Sequence, residues 1–172
     1  MYDIIYADPP WSYGATKNCV PSRSKEGQPY KSMRMIDIYD FDVPKTNDNA
    51  VLFLWATSPL MPEAIYTMKK WGFEYKNIAF TWIKKNKIAD TNFWGMGSWT
   101  RSNPEFLLLG TKGNPKKVSS SVHSVIESKI QEHSKKPDII RDKIVELCGD
   151  KKRIELFARC KCDGWDSFGN EL

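Results

Sequence analysis

Five apolar runs of six or seven residues recur along this chain, with helical patterns between several of them, and that alternation limits the fold more than any other feature. Residues 2–7, 50–56, 78–83, 106–111 and 153–158 read as buried strands. Residues 60–71, with Pro59 and Pro62 near their start and Gly72 after their end, carry helix start and stop signals. Residues 137–148, closed by Gly149, place Ile140, Ile144, Val145 and Leu147 on an inner face, and a shorter helical pattern covers residues 35–41. Continuous apolar strands separated by helices predict an α/β fold, a mostly parallel sheet with helices on both faces. Ligands of such sheets bind beyond the carboxyl ends of the strands.

The length of 172 residues predicts a single domain over residues 1–172. No apolar run approaches the roughly 18 residues of a membrane span, and Met1-Tyr2-Asp3 lacks the charged-then-apolar start of a secretory signal. A soluble, cytoplasmic protein with no membrane partner is therefore expected. Cys19, Cys148, Cys160 and Cys162 have the spacing of neither a disulfide framework nor a zinc site, so they read as reduced thiols and no metal is expected. Two stretches, residues 12–31 and 84–103, are long loops rich in Gly, Ser, Asn and Lys, and loops of that length in a compact domain are usually functional or disordered.

Charge is uneven along the chain. Residues 84–161 hold 17 basic and 9 acidic side chains, residues 1–83 hold 9 of each, and residues 162–172 only 3 acidic ones. The net +5 thus arises in the second half. Of the seven tryptophans, Trp11, Trp94, Trp99 and Trp165 lie beside or close to Pro or Gly in loop-like segments, which suggests a binding surface, whereas Trp55 lies inside an apolar run and reads as core. Basic loops beside exposed aromatics suit a polyanion with stackable bases.

The first strand runs directly into Asp8-Pro9-Pro10-Trp11. Two consecutive prolines fix their own φ and cannot continue a strand ladder, so the backbone leaves the sheet in one rigid shape. That shape can aim the Asp8 carboxylate and the Pro9 carbonyl at one spot with the Trp11 ring beside it, an arrangement suited to a flat ring bearing an exocyclic amine. The lone pair of such an amine is delocalised into the ring. Two acceptors for its protons favour the tetrahedral nitrogen that can attack an electrophile and stabilise the charge developing there.

The chain resembles the adenine-specific methyltransferases of the family whose best-known member is the catalytic subunit of the eukaryotic messenger-RNA adenosine methyltransferase, and most of all its short bacterial and phage-type members. The likeness runs in order through Ala7-Asp8-Pro9-Pro10-Trp11, Pro29-Tyr30 with Met33, Leu52-Phe53-Leu54-Trp55, Gly110-Thr111-Lys112-Gly113-Asn114-Pro115, His133-Ser134-Lys135-Lys136-Pro137-Asp138, Ile154-Glu155-Leu156-Phe157-Ala158-Arg159, and Gly164-Trp165 with Gly169-Asn170-Glu171. It implies a Rossmann-like fold dependent on S-adenosylmethionine (SAM), with the catalytic motif early and most cofactor contacts late, a permuted order. By that resemblance Asp8, Pro9, Pro10 and Trp11 form the acceptor-amine site. Asp8, Ser134, Lys136, Arg159, Asn170 and Glu171 hold the cofactor, Lys136 meeting its methionine carboxylate. Tyr30, Trp99, Arg101, Glu105 and Lys116 belong to the substrate side.

The expected reaction is methylation of the N6 amine of adenine in nucleic acid, with DNA favoured over RNA as acceptor. Cytosine N4 and a protein glutamine amide are alternative acceptors, because related sites use the same Pro-Pro hairpin. A catalytically silent nucleic-acid-binding subunit is the alternative from another class. A chain of 172 residues has little room for a separate target-recognition domain, so modest sequence specificity, a homodimer or a partner subunit is expected.

Overall fold

A computed structural model describes residues 1–12, 32–97, 99–132 and 134–169. Its centre is one seven-stranded sheet. The strands are β1 (Tyr2–Ala7), β2 (Thr46–Ala56), β3 (Glu74–Lys85), β4 (Glu105–Lys112), β5 (Val125–Lys129), β6 (Arg153–Leu156) and β7 (Asp166–Phe168), in the spatial order β5-β3-β4-β2-β1-β6-β7. The helices are α1 (Met35–Tyr39), α2 (Met61–Lys70), entered through a 3₁₀ turn at Ser58–Leu60, and α3 (Ile139–Cys148).

Alternation along each strand builds the two halves of the core. On β1, Ile5 and Ala7 join Leu52 and Leu54 of β2 under Ile38 of α1 and Ala64 and Met68 of α2. Ile4 and Tyr6 face the other way, with Phe53, Trp55, Phe80 and Trp82, against Ile140, Ile144 and Cys148 of α3. Both faces are therefore covered, which is why the runs are apolar at successive positions. α2 has Glu63 in its first turn and Lys69 and Lys70 in its last, each opposing the helix dipole.

Four of the six strand pairings are parallel, and the two antiparallel ones both involve β4. β4 alone runs against the other six strands. Its amino end, Glu105, consequently lies at the same sheet edge as the carboxyl ends of β1, β3 and β6. Chain connections also diverge at this edge: β1 leads toward β2 on one side, and β6 leads to β7 on the other. The gap between β1 and β6 is the switch point at which a sheet of this kind opens a crevice.

The observed elements extend or trim the expected ones. β2 begins at Thr46 and β3 runs from Glu74 through Lys85, so the long loop after β3 spans residues 86–104 rather than 84–103. β6 stops at Leu156, because Phe157 turns into the left-handed region (φ 61°) and breaks the ladder. Two strands with no apolar run of their own, β5 and β7, complete the edges. The other long loop lies, from residue 13 to 31, outside the described residues. Among the described residues no helix is long and apolar enough to cross a membrane.

Candidate active site

Asp8 is the first residue beyond β1, and its backbone N–H still donates to Leu156 of β6 at 3.4 Å. The prolines then turn the chain: Pro9 O accepts from the Trp11 N–H (2.8 Å) and Pro10 O from Met33 N–H (3.0 Å), so the hairpin is held from both sides. Trp11 is only 6% exposed, and its indole N–H donates to Trp55 O at 2.9 Å. Trp165 is likewise buried, edge-on to Tyr6 and beneath the Arg153 guanidinium. The expectation that loop tryptophans form a surface is thus corrected for these two, whose indoles complete the core. Trp55 is core as expected, with its N–H donated to Tyr6 Oη at 2.7 Å.

Around Asp8 the fold gathers four alternating charges. Lys136 Nζ, from the loop between β5 and α3, lies 2.9 Å from Asp8 Oδ2 and 3.2 Å from Glu105 Oε2, and Glu105 Oε1 takes Lys84 Nζ at 2.5 Å. Each lysine also stands over a core indole, Lys136 over Trp55 (5.4 Å) and Lys84 over Trp82 (5.3 Å). The two carboxylates are inequivalent. Burial pushes the Asp8 carboxyl up, and Lys136, shared with Glu105, does not offset this. Burial acts on Glu105 in the same direction, yet Lys136 and Lys84 together hold it below the ordinary range. Burial alone would discharge Lys136, but Asp8 and Glu105 keep its ammonium more firmly protonated than a lysine in water.

The neighbouring loops supply the rest. Ser134 adopts a left-handed backbone (φ 60°), and its carbonyl accepts from Lys136 Nζ at 3.4 Å. It and Phe157 are the non-glycine residues with positive φ among those described, and both lie in loops at the site edge, where local strain is most often tolerated. Arg159 follows Phe157 closely enough to pull on the Asp8 carboxylate. Below them, Arg141 of α3 grips Glu155 of β6 through two nitrogens (2.7 and 3.1 Å), a buried pair that ties α3 to the strand leading into the Arg159 loop.

The residues expected from the sequence therefore divide. Asp8, Pro9, Ser134, Lys136, Arg159 and Glu105 converge at one edge, while Trp99 and Arg101 lie exposed on the 86–104 loop above it. Lys116 does not join them. Because β4 runs antiparallel, its far end and Lys116 beyond it stand at the opposite edge, roughly 25 Å away over eight residues of strand, where Lys116 bonds Asn114 and its carbonyl accepts from Lys151. Tyr30, Asn170 and Glu171 lie outside the described residues. Two participants carried no sequence signal of their role. One is Lys84, the second partner of Glu105; the other is Asn103, whose buried amide bonds the Lys84 N–H (3.0 Å), Lys84 O (2.9 Å) and Phe93 O (2.5 Å).

The model of the MT-A70 family matches residues 2–171. The chain belongs to the MT-A70 family. At 33% identity over 188 aligned residues it is similar to the Type II methyltransferase M.MunI of a Mycoplasma species, covering 99% of this chain and 78% of that protein. It is 28% identical over 175 residues to METTL3, the N(6)-adenosine-methyltransferase catalytic subunit of Homo sapiens, and 29% identical over 175 residues to the N(6)-adenosine-methyltransferase MT-A70-like of Arabidopsis thaliana. Each match covers 99% of this chain, but it spans only 28% and 24% of those two longer proteins. The MT-A70 match begins at β1 and so includes the Asp-Pro-Pro-Trp turn, the Lys136 loop and the Arg159 loop.

Proposed function

We propose that this MT-A70 protein methylates the N6 amine of adenine in nucleic acid, with DNA as its preferred acceptor and SAM as methyl donor. The observation that carries the reading is Asp8, held at the crevice between β1 and β6 as a carboxylate whose lysine partner, Lys136, is shared with Glu105. Asp8 accepts a hydrogen bond from the adenine amine, drawing its nitrogen toward the tetrahedral form and stabilising positive charge there. The proton is released to water after transfer. Pro9 O, with one lone pair committed to the Trp11 N–H, keeps the other for the second amine hydrogen.

The side chains at this edge fit the amino-acid end of SAM. That end carries a carboxylate and an ammonium side by side, and the crevice offers Lys136 to the first and Asp8 to the second, with Ser134 and Arg159 on the flanking loops. SAM supplies an electrophilic methyl group when bound. Asn170 and Glu171 are assigned to its ribose and adenine by the family resemblance. The resemblance to the short bacterial and phage-type members of the family favours DNA.

A radiolabelled methyl-transfer assay offering single- and double-stranded DNA and RNA side by side, followed by digestion and chromatography for N6-methyladenine, tests the reading. Label in N6-methyladenine from DNA is the expected result. Label in N4-methylcytosine, in protein, or in RNA alone would redirect it. Absence of both label and SAM binding by calorimetry at millimolar cofactor would leave a silent nucleic-acid-binding subunit as the better account.

A further inference from the structure

The 86–104 loop is a built projection. Asn103 fastens its base to Lys84 and Phe93, and two bridges, Lys85 with Asn92 and Gly95 with Ser102, cross it. They divide it into two tips, the first closed by the Asn86 N–H on Thr91 O (2.9 Å) and the second by the Gly95 N–H on Ser102 O (2.7 Å). The second tip requires glycine at position 97, since a Cβ there would lie 2.1 Å from Thr100 O.

Such a scaffold would ordinarily present polar residues. Instead Ile88 is 95% exposed on the first tip, and Met96 (91%) and Trp99 (97%) stand on the second, with Trp94 also exposed. Single exposed apolar residues are normal, but four on one 19-residue projection, with Met96 and Trp99 on the same tip, point to an interaction site. Its charge selects the partner. Lys87 and Arg101 outnumber Asp90 on the projection, while Lys85 at its base is taken by Glu127 (3.1 Å). Flat and flexible apolar side chains with flanking cations match stacked bases between phosphates. The base of the projection also keeps a fixed position relative to Asp8, through Lys84, Glu105 and Lys136 in succession.

Resting on the adenine-methylation reading, we propose that this projection is a wedge: Met96 and Trp99 enter duplex nucleic acid beside the target adenine and fill the space it leaves when it turns out toward Asp8. An adenine inside a duplex cannot reach a carboxylate set in the crevice between β1 and β6 without leaving the stack. A wedge lowers that cost for paired adenine and contributes little where the base is already unpaired.

The experiment compares wild type with Trp99→Ala and with Met96→Ala/Trp99→Ala on a pool of random-sequence DNA, annealed as duplex and presented as single strands. The expected result is a ratio of duplex to single-strand methylation lowered by about tenfold or more relative to wild type, whatever loss the single strands themselves show. Equal losses on both, or none on either, would overturn the wedge. If wild type methylates neither form, the function reading fails by itself, and fluorescence of 2-aminopurine placed in the duplex still judges the wedge. An increase with wild type that the double variant does not produce supports it; equal signals refute it. Light scattering completes the set, because a wild-type dimer that Trp99→Ala converts to monomer assigns these side chains to a second copy and overturns the proposal. Circular dichroism of each variant checks that the fold is retained.

Discussion

Lys136 Nζ lies 2.9 Å from Asp8 Oδ2, bridging two residues 128 positions apart in the chain. The contact joins the loop after β1 to the loop after β5 and caps the carboxylate that the proposed chemistry uses. A ligand carboxylate that draws Lys136 toward itself also uncovers Asp8. Glu105 keeps Lys84 when this happens, so the site does not exchange one paired carboxylate for two unpaired ones.

Asp8→Asn is expected to lower methyl transfer by about 10²- to 10³-fold, the scale seen when one electrostatic stabiliser of a transition state is removed. The amide keeps the shape but presents less negative charge to the developing cation. Unfolding measured by urea should change little. Wild-type turnover in this variant would remove Asp8 from the chemistry.

The pH dependence follows from the shared lysine. Asp8 titrates above the ordinary carboxylate value because it is buried, has only part of Lys136 and faces Glu105. Methyl transfer should therefore fall on the acid side at a higher pH than an ordinary aspartate would give, as Asp8 takes up its proton. Glu105→Gln removes the facing charge and leaves Lys136 wholly to Asp8, so the Asp8 midpoint should move down. Carbon-detected NMR titration of the Asp8 carboxyl reads this directly, whether or not the variant turns over, and a midpoint that rises would contradict the arrangement.

Glu155→Ala is expected to destabilise the fold by about 3–5 kcal/mol, because it strands a buried guanidinium without its main partner. Arg141 retains Asp138 at 2.9 Å, but that carboxylate is more exposed. The double variant Arg141→Met/Glu155→Leu should recover most of the loss. Chemical denaturation of the three proteins measures it, and a single-variant cost under about 1 kcal/mol would mean the pair contributes little.

Gly169 abuts the Arg159 loop: a Cβ there would lie 2.1 Å from Ala158 O, while the Ala158 N–H donates to Phe168 O at 3.0 Å. Gly169→Ala must therefore push the end of β7 away from the loop carrying Arg159. Weakened SAM binding, by roughly tenfold or more for a displacement costing at least ~1.4 kcal/mol, is expected in calorimetry. Unchanged affinity would place the cofactor elsewhere.

How much of this was legible in the sequence depends on what each feature rests on. β1, β2 and β4 are buried on both faces, so their apolar runs announce them. β5 buries only Ile126 and β7 is three residues long, so both exist through pairing with a neighbour and leave no pattern of their own. At the site, sequence motifs mark Asp8 and Lys136, whereas the Lys84–Glu105 contact follows from the antiparallel register that sets Trp82 opposite Glu105. A single strand's composition does not state its direction. That same direction carried Lys116 to the far edge.

The placement of charge at two edges leads to the last prediction. Lys112, Lys116, Lys117, Lys151 and Lys152 lie near the edge opposite the crevice, while Lys87, Arg101 and Lys135 lie on loops at the crevice edge. If nucleic acid approaches Asp8, only the second group neutralises phosphate. Arg101→Ala should then reduce the slope of log K against log salt by about one counterion for duplex DNA, and Lys116→Ala should leave it unchanged. Fluorescence anisotropy across a salt series separates the two. A slope that falls with Lys116→Ala and not with Arg101→Ala would place the nucleic acid on the wrong edge for the proposed chemistry.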